Sequence, residues 1–188
     1  MTSPMGKGRL IIISAPSGTG KTTVIKKFLS QHPQMIHSIS CTTRPMRNGE
    51  IDGRDYHFID KKTFEKWISE NKLAEWANVH NNMYGTPKEM LDNWLSEGRD
   101  VLLDIDVVGA ANLKKLYKKN SISIFLLPPS EEELRKRLTT RATDSKEVQA
   151  LRLKNALEEM KHKDEYDYQV INDDLDRTCK EIEKNIGV

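Results

Sequence analysis

The residues best suited to chemistry stand together near the start of the chain: Ala15-Pro16-Ser17-Gly18-Thr19-Gly20-Lys21-Thr22. The run follows the phosphate-loop pattern G-x-x-x-x-G-K-[ST], with Ala15 where the first glycine would stand. Gly18 and Gly20 let successive backbone N–H groups curl around an anion, and a helix starting there adds its positive end. Lys21 is spaced to reach β- and γ-phosphates, and the Thr22 hydroxyl suits Mg²⁺. A glycine-rich turn that binds nothing has no use for a lysine followed by a hydroxyl. The pattern implies ATP or GTP but leaves the phosphoryl acceptor open.

Two further groups have the right chemistry. In Leu102-Leu103-Asp104-Ile105-Asp106, two carboxylates close an apolar run, and ligands of open α/β sheets bind outside the carboxyl ends of such strands. The plainer alternative is that Asp104 caps the next helix. Arg44 and Arg47, with Tyr56 nearby, are a plausible phosphate clamp, since arginine forks grip phosphate oxygens in pairs and a tyrosine adds a donor. By themselves, the two arginines suit a solvated surface equally well.

These residues need a frame. Leu10 to Ser14 is an apolar, β-branched run without alternation, as in a strand buried on both faces of a parallel sheet. Residues 101–105 and 122–127 repeat that signal, and 168–171 repeats it more weakly. Helical patterns lie at 22–30, 88–95, 108–118 and 175–186. Strands alternating with helices predict a three-layer α/β fold with a mainly parallel central sheet. Two stretches break the rhythm. Residues 39–86 read as a small α+β insert, with strands at 56–59 and 74–79 around a helix at 63–71. Residues 130–164 read as a helical, densely charged, mobile flap with little to bury. The expected division is a core of 1–38, 87–129 and 165–188, an insert of 39–86 and a lid of 130–164.

Composition narrows the partners. The 30 basic and 28 acidic side chains leave a formal charge of +2, too balanced to argue for nucleic acid or an acidic membrane. Cys41 and Cys179 lack metal-ligand spacing and read as free thiols in a reducing compartment. No apolar run is long enough to span a bilayer, and the first residues carry no secretion signal, so a cytoplasmic protein is expected.

Across nearly its whole length the sequence resembles the guanylate kinases. The resemblance rests on APSGTGKTT, S-x-TTR-x-x-R from Ser40, G-x-DY-x-F from Gly53, Glu75-Trp76-Ala77, Tyr84-Gly85-Thr86, Leu103-Asp104-Ile105-Asp106 and Val170-Ile171-Asn172-Asp173-Asp174, in that order. It implies transfer of the γ-phosphoryl group of Mg·ATP to GMP or dGMP by a monomer or homodimer. It implies that Ala15, Pro16, Ser17, Gly18, Thr19, Gly20, Lys21, Thr22 and Thr23 hold ATP, with Asn172 at its base. It implies that Arg44, Arg47, Tyr56 and Tyr84 hold the GMP phosphate, that Ser40, Glu75 and Thr86 contact guanine, and that Asp104 and Asp106 lie near base and metal. Guanine offers N1–H and N2–H side by side to one carboxylate, and its O6 accepts from a hydroxyl; adenine offers neither. Without the resemblance, Glu75 reads as a strand-surface carboxylate. The flap then becomes the lid, with Arg137, Arg141 and Arg152 neutralising the moving phosphoryl group and Lys21 and Arg44 completing the catalytic set. Insert and lid are expected to close over the core. Two rivals follow from the same residues: a related kinase with another small acceptor, and a non-catalytic module that binds a phosphorylated peptide through the Arg/Tyr pocket. The intact Lys21-Thr22 argues against the module.

Overall fold

The computed structural model describes residues 8–79, 81–139 and 146–188 of the 188-residue chain. Among them it forms strands β1 (Leu10–Ser14), β2 (Ile36–His37), β3 (Cys41–Thr42), β4 (His57–Phe58), β5 (Leu73–Val79), β6 (Asn82–Pro87), β7 (Val101–Asp104), β8 (Ser121–Leu127) and β9 (Tyr168–Ile171). The α-helices are α1 (Lys21–Gln31), α2 (Lys61–Ser69), α3 (Lys88–Ser96), α4 (Val107–Tyr117), α5 (Glu131–Thr139), α6 (Lys146–Met160) and α7 (Leu175–Ile186). The expected mixed α/β architecture with a mainly parallel sheet is the one the chain adopts.

The chain divides into two compact units. The first runs to Leu10 and takes in Gln34–Leu103 and Val108–Ser121; the second comprises Ile11–Pro33, Asp104–Val107 and Ile122–Val188.

In the first unit, β2 and β7 pair in parallel, Ile36 opposite Val101. A separate four-stranded sheet runs in the order β4-β3-β6-β5. Asp60 starts the helix beneath it by accepting from Thr63 N–H at 2.9 Å, and α2 buries Phe64. Strand β6 was not anticipated. Asn82, Gly85 and Pro87 are poor strand residues, yet pairing with β3 on one side and β5 on the other holds them extended. The two-residue strands β2 and β3 are too short to show periodicity.

In the second unit, β1, β8 and β9 follow one another, and β8 pairs with β9 in parallel from Ile124–Tyr168 to Leu127–Ile171. All five residues of β1 are buried, as its unbroken apolar run requires. Helix α1 buries Val24, Ile25 and Phe28 on one stripe. Helix α7 has Asp174 as N-cap, accepting from Arg177 N–H at 2.8 Å, and ends on left-handed Gly187.

The expectation that residues 130–164 have little to bury is wrong. Leu134 and Ala156 are fully buried, Leu138 nearly so, and Leu153 and Met160 pack against them. The surrounding charge masked this stripe, in which each fully buried leucine contributes about 1.5–3 kcal/mol.

Candidate active site

The candidates expected to form the phosphate-donor half lie within the second unit. Strand β1 delivers the chain into the 15–20 loop, where Gly18 and Gly20 adopt φ of 90° and 94°. A side chain at either position would also crowd its neighbours. A Cβ on Gly18 would stand 2.9 Å from Leu138 Cδ2, and one on Gly20 the same distance from Asn172 Nδ2. Helix α5 therefore packs directly against the loop through Leu134 and Leu138. No side chain caps the start of α1 and its first turn holds no acidic residue, so the helix end is left to an anion. The Thr19 hydroxyl is buried with no partner among the described residues.

Remote side chains hold this loop. Asn172 donates to Thr19 O at 2.6 Å and accepts from the Thr178 hydroxyl at 3.2 Å, so here its carboxamide braces the loop. Arg137 donates to the same carbonyl at 3.2 Å and to Glu133 at 2.9 Å. Lys21 forms an ion pair with Asp104, which answers the capping alternative: Asp104 engages the loop lysine. Asp106 stands half-buried two residues on. Glu159 of α6, absent from the sequence reading, accepts from Ser17 N–H at 3.2 Å. Burial pushes its carboxyl above the ordinary value, against the pull of Ser17 N–H and Lys21, and the charge of Asp106 adds to the rise. Arg152 is half-buried on α6. Arg141 lies outside the described residues.

Thr22 presents an exposed hydroxyl in the first turn of α1, and no group of three or more His, Cys, Asp or Glu is gathered among the described residues. That donor set fits Mg²⁺ held chiefly by phosphate oxygens and water, as a hard cation that sheds water reluctantly prefers.

The candidates expected to form the acceptor half lie within the first unit, on one face of the four-stranded sheet. Glu75 of β5 pairs with Thr86 of β6, Thr42 of β3 with Tyr84, and Thr42 with Phe58 of β4. Extending these registers by one residue sets Tyr56, Ser40, Thr86 and Glu75 in one row. Alternation along strands puts Tyr84 and Arg44 on the same face. Five candidates that are scattered in sequence thus share a surface with Arg44. Glu75 is 7% exposed and accepts from the Thr86 hydroxyl at 2.6 Å. Arg44, 9% exposed, lies 5.5 Å from the Tyr56 ring centre and 5.7 Å from that of Phe58. Tyr56 and Tyr84 meet edge to face at 5.9 Å. Arg47 is exposed.

Sequence reasoning also missed Glu50, whose carboxylate accepts from Arg44 Nη1 at 3.0 Å, Arg44 Nη2 at 2.7 Å and Arg47 N–H at 2.7 Å. The available signal was Asn48-Gly49, a turn dipeptide that folds Glu50 back onto the arginines. Cys41 sits in the floor of this sheet, donating to Gly85 O at 3.1 Å; burial pushes its thiol up to about 12, so it is an inert packing residue.

Chemically, the face of the four-stranded sheet can hold a purine edge and an oxyanion, and the 15–20 loop can hold a polyphosphate. Comparison with known proteins agrees. The family model described as guanylate kinase matches residues 7–187. A guanylate kinase of Zymomonas mobilis is 48% identical over 96% of this chain and 83% of its own length. One from Syntrophotalea carbinolica is 49% identical over 95% and 85%. The crystal structure of guanylate kinase from Anaplasma phagocytophilum superposes with a TM-score of 0.80 at 34% identity, covering 97% of this chain and 86% of that one.

Proposed function

The chain belongs to the guanylate kinase family and is an ATP-dependent kinase of GMP, and we propose that the two half-sites described above carry out that transfer. Residues 15–23 hold the triphosphate, with Lys21 at the β- and γ-phosphates and Asn172 bracing the loop through Thr19. Ser40, Glu75 and Thr86 read guanine, with Asp104 and Asp106 toward the base and the metal. Arg44, Arg47, Tyr56 and Tyr84 hold the acceptor phosphate. Arg137, Arg141 and Arg152 spread the charge of the moving group. The division into a core of 1–38, 87–129 and 165–188, an insert of 39–86 and a lid of 130–164 belongs to this proposal.

The acceptor phosphate is already anionic. One of its oxygens bonds to the γ-phosphorus as the bond to the β,γ-bridging oxygen breaks, giving GDP and ADP without a strong general base. Mg²⁺, held mainly by the phosphates with Thr22 beside it, supplies charge neutralisation when bound. The protein's part is placement: donors around each phosphate and a buried carboxylate at the guanine edge. We also place the protein in the cytoplasm, without nucleic-acid or membrane partners, as a monomer or homodimer. No helix among the described residues is long and apolar enough to cross a membrane.

The observation that carries this reading is the row Tyr56-Ser40-Thr86-Glu75, which gathers scattered candidates on the face that holds Arg44. It is tested by ADP release from Mg·ATP with GMP, dGMP, AMP, CMP, UMP and dTMP offered separately. Activity confined to GMP and dGMP is expected. Folded, ATP-binding protein that is silent with every acceptor would overturn the reading.

A further inference from the structure

A nearly buried guanidinium needs partners, because leaving its charge unpaired away from water is costly. Arg44 has five N–H groups to satisfy. Nη1 donates to Pro45 O at 2.8 Å and to Glu50 Oε2 at 3.0 Å, which engages both of its hydrogens. Nη2 gives one hydrogen to Glu50 Oε1 at 2.7 Å. The Tyr84 hydroxyl is a further partner of the group. The two hydrogens outside the Pro45 and Glu50 bonds, on Nε and Nη2, lie on the adjacent edge of the guanidinium, an edge that suits a two-oxygen anion.

Glu50 reaches this position through a turn. Glu50 N–H donates to Arg47 O at 3.1 Å, and Gly49, third of the four turn residues, has φ of 87°. That angle at that position belongs to a type II turn and calls for glycine. The turn brings Glu50 Oε2 back to the N–H of Arg47 at 2.7 Å, so one carboxylate ties the side chain of one arginine to the backbone of the other. The Arg44 fork, then the Arg47 N–H, hold the Glu50 carboxyl below its ordinary value, keeping it charged.

We propose that Glu50 is the positioning residue of the acceptor clamp: gripping the Nη1–Nη2 edge of Arg44 and the backbone of Arg47 together, it presents the Nε–Nη2 edge of Arg44 to the acceptor phosphate and sets the spacing of the two arginines. The inference rests on reading Arg44, Arg47, Tyr56 and Tyr84 as the phosphate clamp. It differs in sign from the simpler idea that Glu50 is an anion standing in the phosphate's place. A positioning carboxylate helps GMP bind, whereas a stand-in competes with it.

The test is calorimetric titration of GMP and of guanosine, which lacks the phosphate, into the wild type, Glu50→Gln, Arg44→Lys and the double variant. Glu50→Gln keeps the size of the side chain but loses the charge that fixes the fork. It is expected to weaken GMP roughly ten-fold, the loss of one charge-assisted contact, and to leave guanosine unchanged. Arg44→Lys is expected to weaken GMP and spare guanosine, and adding Glu50→Gln to it is expected to cost less than the same change costs the wild type. Unchanged or tighter GMP binding in Glu50→Gln, while Arg44→Lys still loses GMP, would overturn the positioning role and leave the clamp standing. Equal losses of GMP and guanosine in Glu50→Gln would reduce Glu50 to general support of the sheet and overturn it too. Full GMP affinity in Arg44→Lys would bring down the clamp itself.

Discussion

Each half-site holds a carboxylate of its own chain against a phosphate-binding group, and the two carboxylates behave in opposite ways. Glu50 in the acceptor half faces a complete arginine fork and a backbone N–H, and its carboxyl is held below the ordinary value. Glu159 in the donor half faces one amide, that of Ser17, while Lys21 is paired with Asp104, and burial pushes its carboxyl up. The acceptor half is built from side chains braced by near neighbours: Glu50 stands six residues from Arg44 and Thr86 eleven from Glu75. The donor half is built from backbone and braced from afar. Asn172 lies 153 residues from Thr19, Arg137 118 from it, and Glu159 142 from Ser17. A clamp of paired charges carries its own neutralisation, whereas a loop of amides depends on what the rest of its unit presses against it.

The largest effect expected from breaking this contrast is at Lys21. Lys21→Ala removes the cation proposed to sit at the β- and γ-phosphates, so turnover in the coupled assay should fall roughly 10²- to 10³-fold. Next comes Glu75→Gln, which replaces an acceptor pair with a half-donor at the position proposed to face the guanine N–H edge. Its GMP KM should rise roughly ten- to a hundred-fold with ATP KM unmoved; unchanged GMP kinetics would remove Glu75 from the base site.

Two glycines sharpen the comparison at the level of stability. Gly18 and Gly49 have nearly the same φ, 90° and 87°, but a Cβ on Gly18 meets Leu138 whereas one on Gly49 meets nothing within 4 Å. Gly49→Ala should therefore cost about 1 kcal/mol of backbone strain alone. Gly18→Ala should cost about 1–3 kcal/mol more, as overpacking does, read from denaturant midpoints. Equal losses would mean that α5 does not brace the loop as described.

The smallest effect concerns pH. A carboxyl whose folded value is raised contributes stability that is fully present below the unfolded value and is lost as pH rises through the folded one. Glu159→Gln should therefore melt no lower than the wild type at pH 7, and any advantage should vanish below the ordinary carboxylate range. An advantage that instead grows on acidification would contradict the burial of Glu159.

These differences also explain what was legible in the sequence. The donor motif is contiguous and its chemistry uses residues with few other uses, so Gly18 to Thr22 could be read directly. Its braces could not. Leu134 and Leu138 are hidden among charges, and nothing local tells Asn172 or Glu159 that the loop is their neighbour. Buried apolar strands such as β1 and β7 announced themselves, because both faces must be apolar. Strand β6 did not: its Asn, Gly and Pro argue against a strand, and only pairing on both sides holds it. Since β6 brings Tyr84 and Thr86 to the acceptor face, the row opposite Glu75 was out of reach of local reading even though the family resemblance pointed to its members. Glu50 was overlooked for a smaller reason, a turn whose consequence is visible only in three dimensions.

The most direct test of the central claim, that two separately braced halves hold two different nucleotides, is a crossed binding experiment. GMP and a non-hydrolysable ATP analogue are each titrated into Lys21→Ala and Glu75→Gln. The account predicts a diagonal result, with Lys21→Ala losing the ATP analogue and keeping GMP, and Glu75→Gln losing GMP and keeping the analogue. If either substitution weakens both ligands alike, the division into a donor loop and an acceptor face is wrong.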